Sequence, residues 1–144
     1  MPTEDEPSER YLQGLATRRT VLGEAHVERA LANQSGFDGP FQSLITEAAW
    51  GHVWSRETWT KRERSMVTIA LLAALGHYEE MAMHVRATAR TGATMDDIRE
   101  ALLHVAIYAG VPAANQAIKV AREALAGMKE DEGHGDEGHG QAAL

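Results

Sequence analysis

The 144-residue chain is 44% hydrophobic and 24% charged, with a net charge of −7. That is the profile of one soluble globular domain, and it excludes collagen-like, globally disordered and disulfide-scaffold classes. No cysteine is present, so disulfides, thiolate metal sites, iron–sulfur clusters and thiol catalysis are excluded together.

The longest apolar run, Met66 to Leu75, is half the ~20 residues a membrane span needs. No membrane association is therefore expected. The polar, acidic N-terminus is unlike a secretory signal, and a reducing cytoplasm is the expected compartment. The charge is unevenly spread. Glu4, Asp5, Glu6 and Glu9 crowd the first residues, and Glu130, Asp131, Glu132, Asp136 and Glu137 outnumber Lys129 at the other end. The body between is close to neutral. It has no basic stripe with interleaved aromatics, so nucleic acid is not an expected partner. Clustered arginines in a near-neutral body could still hold a small anion.

In chain order, the pattern is helical throughout and no stretch alternates like a strand. A first helix is expected over about Thr20 to Ala32, then a loop from Asn33 to Gly39. Pro40 suits the first turn of a second helix, running through Phe41, Leu44, Ile45, Ala48, Ala49 and Trp50 toward Trp54. Thr60 and Glu63 read as a capping box for a third helix. Its Met66 to Leu75 stretch is apolar nearly all round, which predicts a central, buried helix ending at Gly76. A fourth helix covers about His77 to Arg90 and stops at Gly92. Thr94 and Asp97 cap a fifth, with Ile98, Leu102, Val105 and Ala106 inward. Gly110 and Pro112 break before a sixth helix through Ile118, Val120 and Leu125. The expectation is thus one all-α domain of about six helices over residues 10–128, with acidic flexible ends at 1–9 and 129–144. The second end carries a tandem Asp-Glu-Gly-His-Gly repeat at 131–135 and 136–140, expected to be solvated. So small a core predicts helix–helix association between subunits.

Several side chains could carry chemistry. His77, Glu80 and His84 fall at i, i+3 and i+7, on one helix face otherwise holding Met81 and Val85. Glu80 and His84 are within hydrogen-bonding reach, and a carboxylate on one imidazole nitrogen would fix the tautomer and raise ring basicity. A surface pair or a satisfied core histidine is the bland alternative. A metal held by the three is a further one, but the second Glu-x-x-His helix of carboxylate-bridged bundle sites is missing, so no metal is expected. His104 and Tyr108 form a second i, i+4 pair, either structural or part of a site. Arg64 enters the third helix, where it could serve a site or pair with Glu63 or Glu80. Trp50-Gly-His-Val-Trp54-Ser-Arg56 sets aromatic planes beside a guanidinium, a good wall for a flat anion. Core packing would explain the same tryptophans.

These blocks, with Arg64-Ser, Leu71-Leu-Ala-Ala-Leu-Gly76, Gly92-Ala-Thr, Ile98-Arg-Glu and His104-Val-Ala-Ile-Tyr-Ala-Gly-Val-Pro-Ala-Ala-Asn115, resemble the 4-carboxymuconolactone decarboxylase family, within the AhpD-like superfamily. The early Arg19-Thr-Val-Leu-Gly-Glu-Ala-His-Val27 stretch fits as well. The resemblance spans roughly residues 10 to 126 and omits the acidic tail. It implies an AhpD-like helical bundle in a homo-oligomeric ring, a hexamer among the expected forms. The superfamily's peroxidase branch uses a Cys-x-x-Cys pair, whose positions would fall on His77 and Glu80; without thiols that branch is excluded here.

The resemblance further implies cofactor-free loss of CO2 from a five-membered unsaturated lactone carrying a carboxylate and a carboxymethyl arm. The product would be the β-ketoadipate enol-lactone, in catabolism of protocatechuate. The implied roles make His84 the proton donor, oriented by Glu80, with Arg64 or Arg56 gripping a carboxylate. His104 and Tyr108 would lie on the oxyanion side, Trp50 and Trp54 would wall the ring, and His77 would contact substrate. A differently specific member acting on another lactone or a β-keto acid, and a non-catalytic helical oligomer, stay open as alternatives.

Overall fold

The computed structural model describes residues 6–134. Among them are seven α-helices, one π-helical segment and no strand. The helices are α1 (Glu9–Leu22), α2 (Glu24–Asn33), α3 (Gly39–Ile45), α4 (Lys61–Leu75), α5 (Tyr78–Thr91), α6 (Met95–Tyr108) and α7 (Val111–His134). The π segment, Thr46–Trp54, continues α3 without a break.

The first expected helix is in fact two. Gly23 at φ 93° turns the chain between α1 and α2, a conformation that side chains with a Cβ rarely adopt. The preceding stretch is also helical, opened by Ser8, whose hydroxyl accepts from the Tyr11 amide. Apolar spacing is poor in α1, where only Gly14, Arg18, Val21 and Leu22 are buried, so periodicity gives little sign of it. The later helices start where their caps predict. Both Thr60–Glu63 and Thr94–Asp97 form complete capping boxes. The α7 helix reaches His134 and so takes in most of the first tail repeat; the second repeat lies outside the described residues.

Two hydrophobic cores share α5. One joins Ile69 and Ala73 of α4 and Ile98, Leu102 and Val105 of α6 to the alanine stripe Ala114, Ala117, Ala121 and Ala124 of α7. The other joins Val21 and Leu22 of α1, Val27 of α2, and Trp50 and Trp54 of the π segment. Met81 and Val85 of α5 enter the first, Met83 and Ala87 the second. At about 100° per residue, His84 falls on the arc between them.

The expectation of a fully buried α4 does not hold within one chain. Only its Ser65, Ile69 and Ala73 stripe is buried. Val67, Leu71 and Leu75, also four residues apart, form an exposed apolar row, with Leu71 57% and Leu75 67% exposed. Apolar composition all round marked α4 as a helix with two greasy faces, and a single chain covers one of them.

Candidate active site

His84 is the centre of the least ordinary packing in the molecule. Its ring is 6% exposed and stacks on both Trp50, at 6.3 Å and 16°, and Trp54, at 5.8 Å and 17°. The two indoles meet each other at 5.1 Å and 32°. The three rings form a triangle in which the tilt of the imidazole is intermediate between those of the two indoles. The indoles are four residues apart on the π segment, and a π turn inside an α-helix is a frequent mark of a functional site.

Burial pushes the His84 pKa down to about 4, and the nearby charge of His26 adds to the effect. The ring is therefore neutral at neutral pH. Its Nδ1 is sealed from solvent and has no hydrogen-bond partner. The expected Glu80–His84 hydrogen bond is not formed. Glu80 is half-exposed one turn earlier, where its carboxylate keeps its hydration instead of entering an indole-lined seam. His77 is exposed and N-caps α5 with no side-chain hydrogen bond. Among the described residues, no group of three His, Asp or Glu side chains could hold a metal.

Beyond Trp54, cations collect at the start of α4. Lys61 Nζ donates to the Trp54 carbonyl at 2.5 Å. Burial and then Arg64 lower the Lys61 pKa. Arg64 donates to the Arg56 carbonyl at 3.0 Å, and its guanidinium lies 5.9 Å from the Trp59 ring centre. It makes no ion pair with Glu63, whose carboxylate is taken up by Thr60. Arg56 itself is exposed. The segment from Trp50 to Arg64 thus gathers the aromatic wall and the cations at one end of the π segment.

His104 and Tyr108 stand apart from this group. They stack on each other at 6.3 Å and 8°, both exposed, on the outer side of α6. No hydrogen bond or ring contact joins them to His84. An open surface groove of about 580 Å³, lined by Arg19, Thr20, Gly23, Glu24, Ala25 and Arg90, includes none of the stacked rings.

Sequence reading gave no role to His26, Lys61 or Arg18. Lys61 had a legible signal, since it directly follows the capping threonine and faces back over the segment that ends at Trp54. His26 and Arg18 had none, because long-range packing sets His26 near His84 and Arg18 against the start of the π segment.

The sequence has clear counterparts among known proteins. Residues 39–123 match the Carboxymuconolactone decarboxylase family. The chain is 49% identical over 115 residues to a 4-carboxymuconolactone decarboxylase of Acinetobacter baylyi, covering 80% of this chain and 86% of that one. It is 39% identical over 127 residues to a nitrosuccinic acid decarboxylase of Metarhizium robertsii, covering 88% and 89%. A 4-carboxymuconolactone decarboxylase sequence from Pseudomonas putida is 49% identical over 43 residues, 90% of its length but 30% of this chain. Likeness of this extent, running through the π segment, α4 and α5 alike, makes the chain a member of the carboxymuconolactone decarboxylase family.

Proposed function

We propose that the protein is a carboxy-lyase that converts 4-carboxymuconolactone to the β-ketoadipate enol-lactone and CO2. The observation that carries this reading is the 49% identity across 86% of the Acinetobacter enzyme. The local chemistry suits it. The bond from the substituted ring carbon to its carboxylate breaks, and CO2 leaves. The electron pair moves through the ring double bond to the lactone carbonyl oxygen, giving a dienolate. A proton then joins the ring carbon beside that carbonyl, and the solvent supplies it in net terms. The reaction asks for a flat apolar wall, cations for two carboxylates, and one acid. No cofactor is invoked.

In this reading Trp50 and Trp54 wall the ring, and His84 delivers the proton. Burial holds His84 neutral, so the acid must form as substrate binds. Two carboxylates brought against a desolvated imidazole favour its charged form and draw a proton onto it. Arg64, on leaving the Arg56 carbonyl, or Arg56 itself holds a carboxylate. Glu80 at the rim orients His84 once the site is filled, and His77 contacts substrate from the start of α5. His104 and Tyr108, on the outer face of α6, would serve the oxyanion of a neighbouring subunit. The exposed row of α4 and the outer side of α6 that carries His104 and Tyr108 are the surfaces for that homo-oligomer, a hexamer by family resemblance, in the cytoplasm.

The test is an absorbance assay with synthetic 4-carboxymuconolactone in the presence of a chelator, with CO2 measured in parallel. Turnover in the wild type, lost in a folded His84→Ala protein, supports the reading. Normal turnover in His84→Ala removes His84 from it, and an inert wild type removes the substrate. The 39% identity to the Metarhizium enzyme favours one second substrate class, and nitrosuccinic acid belongs in the same assay. It too is a dicarboxylic acid, and its nitro group can take the electron pair.

A further inference from the structure

Arg18 is fully buried, yet none of the ion pairs among the described residues includes it. Its Nη1 donates to Thr46 Oγ1 at 3.2 Å and its Nη2 to Gln42 Oε1 at 3.2 Å. Its Nε has no partner. A guanidinium held in a protein interior by neutral acceptors alone is an expensive arrangement, and an apolar side chain of similar length would fill the space at less cost. The charge therefore calls for a reason, and its two acceptors supply one.

Gln42 and Thr46 bracket the last turn of α3, and Thr46 is the first residue of the π segment. Thr46 Oγ1 also donates to the Gln42 carbonyl at 2.7 Å. Arg18 thus closes a ring of polar contacts at the point where the helix changes its winding. The rest of α1 presses on the same line. A Cβ on Gly14 would lie 2.1 Å from the Thr46 carbonyl oxygen, and one on Gly51 would lie 2.7 Å from the Arg10 carbonyl oxygen. Arg10 Nη1 donates to the Gly51 carbonyl at 3.3 Å. Residues 10, 14 and 18 are one helical stripe, laid backbone to backbone along the π segment. Trp50 and Trp54 follow Thr46 at four and eight residues. A slip of one residue between α and π winding would rotate each of them by about 100° about the axis, off His84.

We propose that Arg18 is a positioning residue: it pins the changeover from α to π winding at Thr46 and so sets Trp50 and Trp54 against the His84 ring. It acts through Thr46 and Gln42 and touches no substrate. The claim concerns the tryptophan geometry first, and rests on the proposed decarboxylation only in its kinetic arm.

Two indoles packed at 5.1 Å are held in a fixed, asymmetric environment, so near-ultraviolet circular dichroism carries a pair of tryptophan bands, identified by its loss in Trp54→Phe. The experiment compares wild type, Arg18→Met and Arg18→Lys at a temperature where far-ultraviolet spectra show all three folded. The expected Arg18→Met protein loses the band pair, and its kcat falls by about tenfold to a hundredfold while KM stays within about threefold. Arg18→Lys, able to reach one acceptor, recovers part of both. A band pair and kcat unchanged in Arg18→Met overturn the proposal, and so does a fall in kcat with the band pair intact. Where Arg18→Met does not fold, Gln42→Leu removes one acceptor at a half-exposed position. It should weaken the band pair and kcat together, and an unaltered band pair there refutes the assignment equally. Should the wild type fail to decarboxylate the lactone, the function proposed above fails, while the spectroscopic arm still decides the role of Arg18.

Discussion

At the level of single residues, His84 is defined by what its surroundings deny it. It has no carboxylate partner and almost no water, so its folded pKa of about 4 lies below its ordinary 6.5. The unfolded chain therefore binds this proton more readily than the folded one. Stability from this group is complete above about pH 6.5 and is lost as pH falls toward 4, to a total of about 3 kcal/mol. Thermal melts between pH 7 and pH 4 should show this loss, and His84→Phe should flatten the curve across that window. An unchanged slope in His84→Phe would mean that another group governs acid sensitivity. The same low pKa bears on catalysis. Binding of an unreactive lactone dicarboxylate near neutral pH should take up a proton, measured by calorimetry in two buffers of different ionisation heat. Heats independent of buffer would contradict the view that substrate charges the imidazole.

At the level of elements, the junction of α1 with the π segment is the tightest in the fold. Gly14→Ala would force a methyl group to 2.1 Å from the Thr46 carbonyl oxygen, and helix backbone cannot yield that far. A loss of about 3 kcal/mol or more in chemical denaturation is expected, with the indole pair disturbed in what remains folded. A protein that melts like wild type would show that α1 can lift away freely. This junction is also where sequence reading stopped. Caps and apolar spacing carry local information, so α4, α5 and α6 were legible to within a residue or two. The π turn was not, because its sequence reads equally well as ordinary helix. Only α1 lying against it, through two glycines and a buried arginine, shows what holds it. For the same reason Trp50, Trp54 and His84 were readable as candidates, while the Glu80 hydrogen bond inferred from i, i+4 spacing was not made. Spacing gives reach, and the indole stack decides which way the ring faces.

At the level of the whole molecule, the row Val67, Leu71 and Leu75 leaves α4 covered on one side only. Leu71→Glu should leave the single-chain core intact, since Ile69 and Ala73 make that contact. The proposed oligomer should fall to smaller species by sedimentation, with turnover falling too if His104 and Tyr108 serve a neighbour. Unaltered sedimentation would place the interface elsewhere. The sequence offered the composition of that row but not its exposure, because a greasy face reads alike whether its own chain or another one covers it.

The doubly used carboxylate of Asp97 has a different consequence. It caps α6 and also takes two bonds from Arg62, at 2.7 and 2.8 Å, so the starts of α4 and α6 are tied at one point. The Arg62 contact first, then the cap, hold this carboxylate far below its usual range, so it stays ionised in acid that would already protonate His84. The acid-labile group thus stacks on the π segment, while the acid-proof clasp ties α4 to α6. Mild acid should unzip this protein in a fixed order: amides of α1 and the π segment should exchange with deuterium at pH 5 well ahead of those in α4 and α6, leaving a half-molecule still assembled.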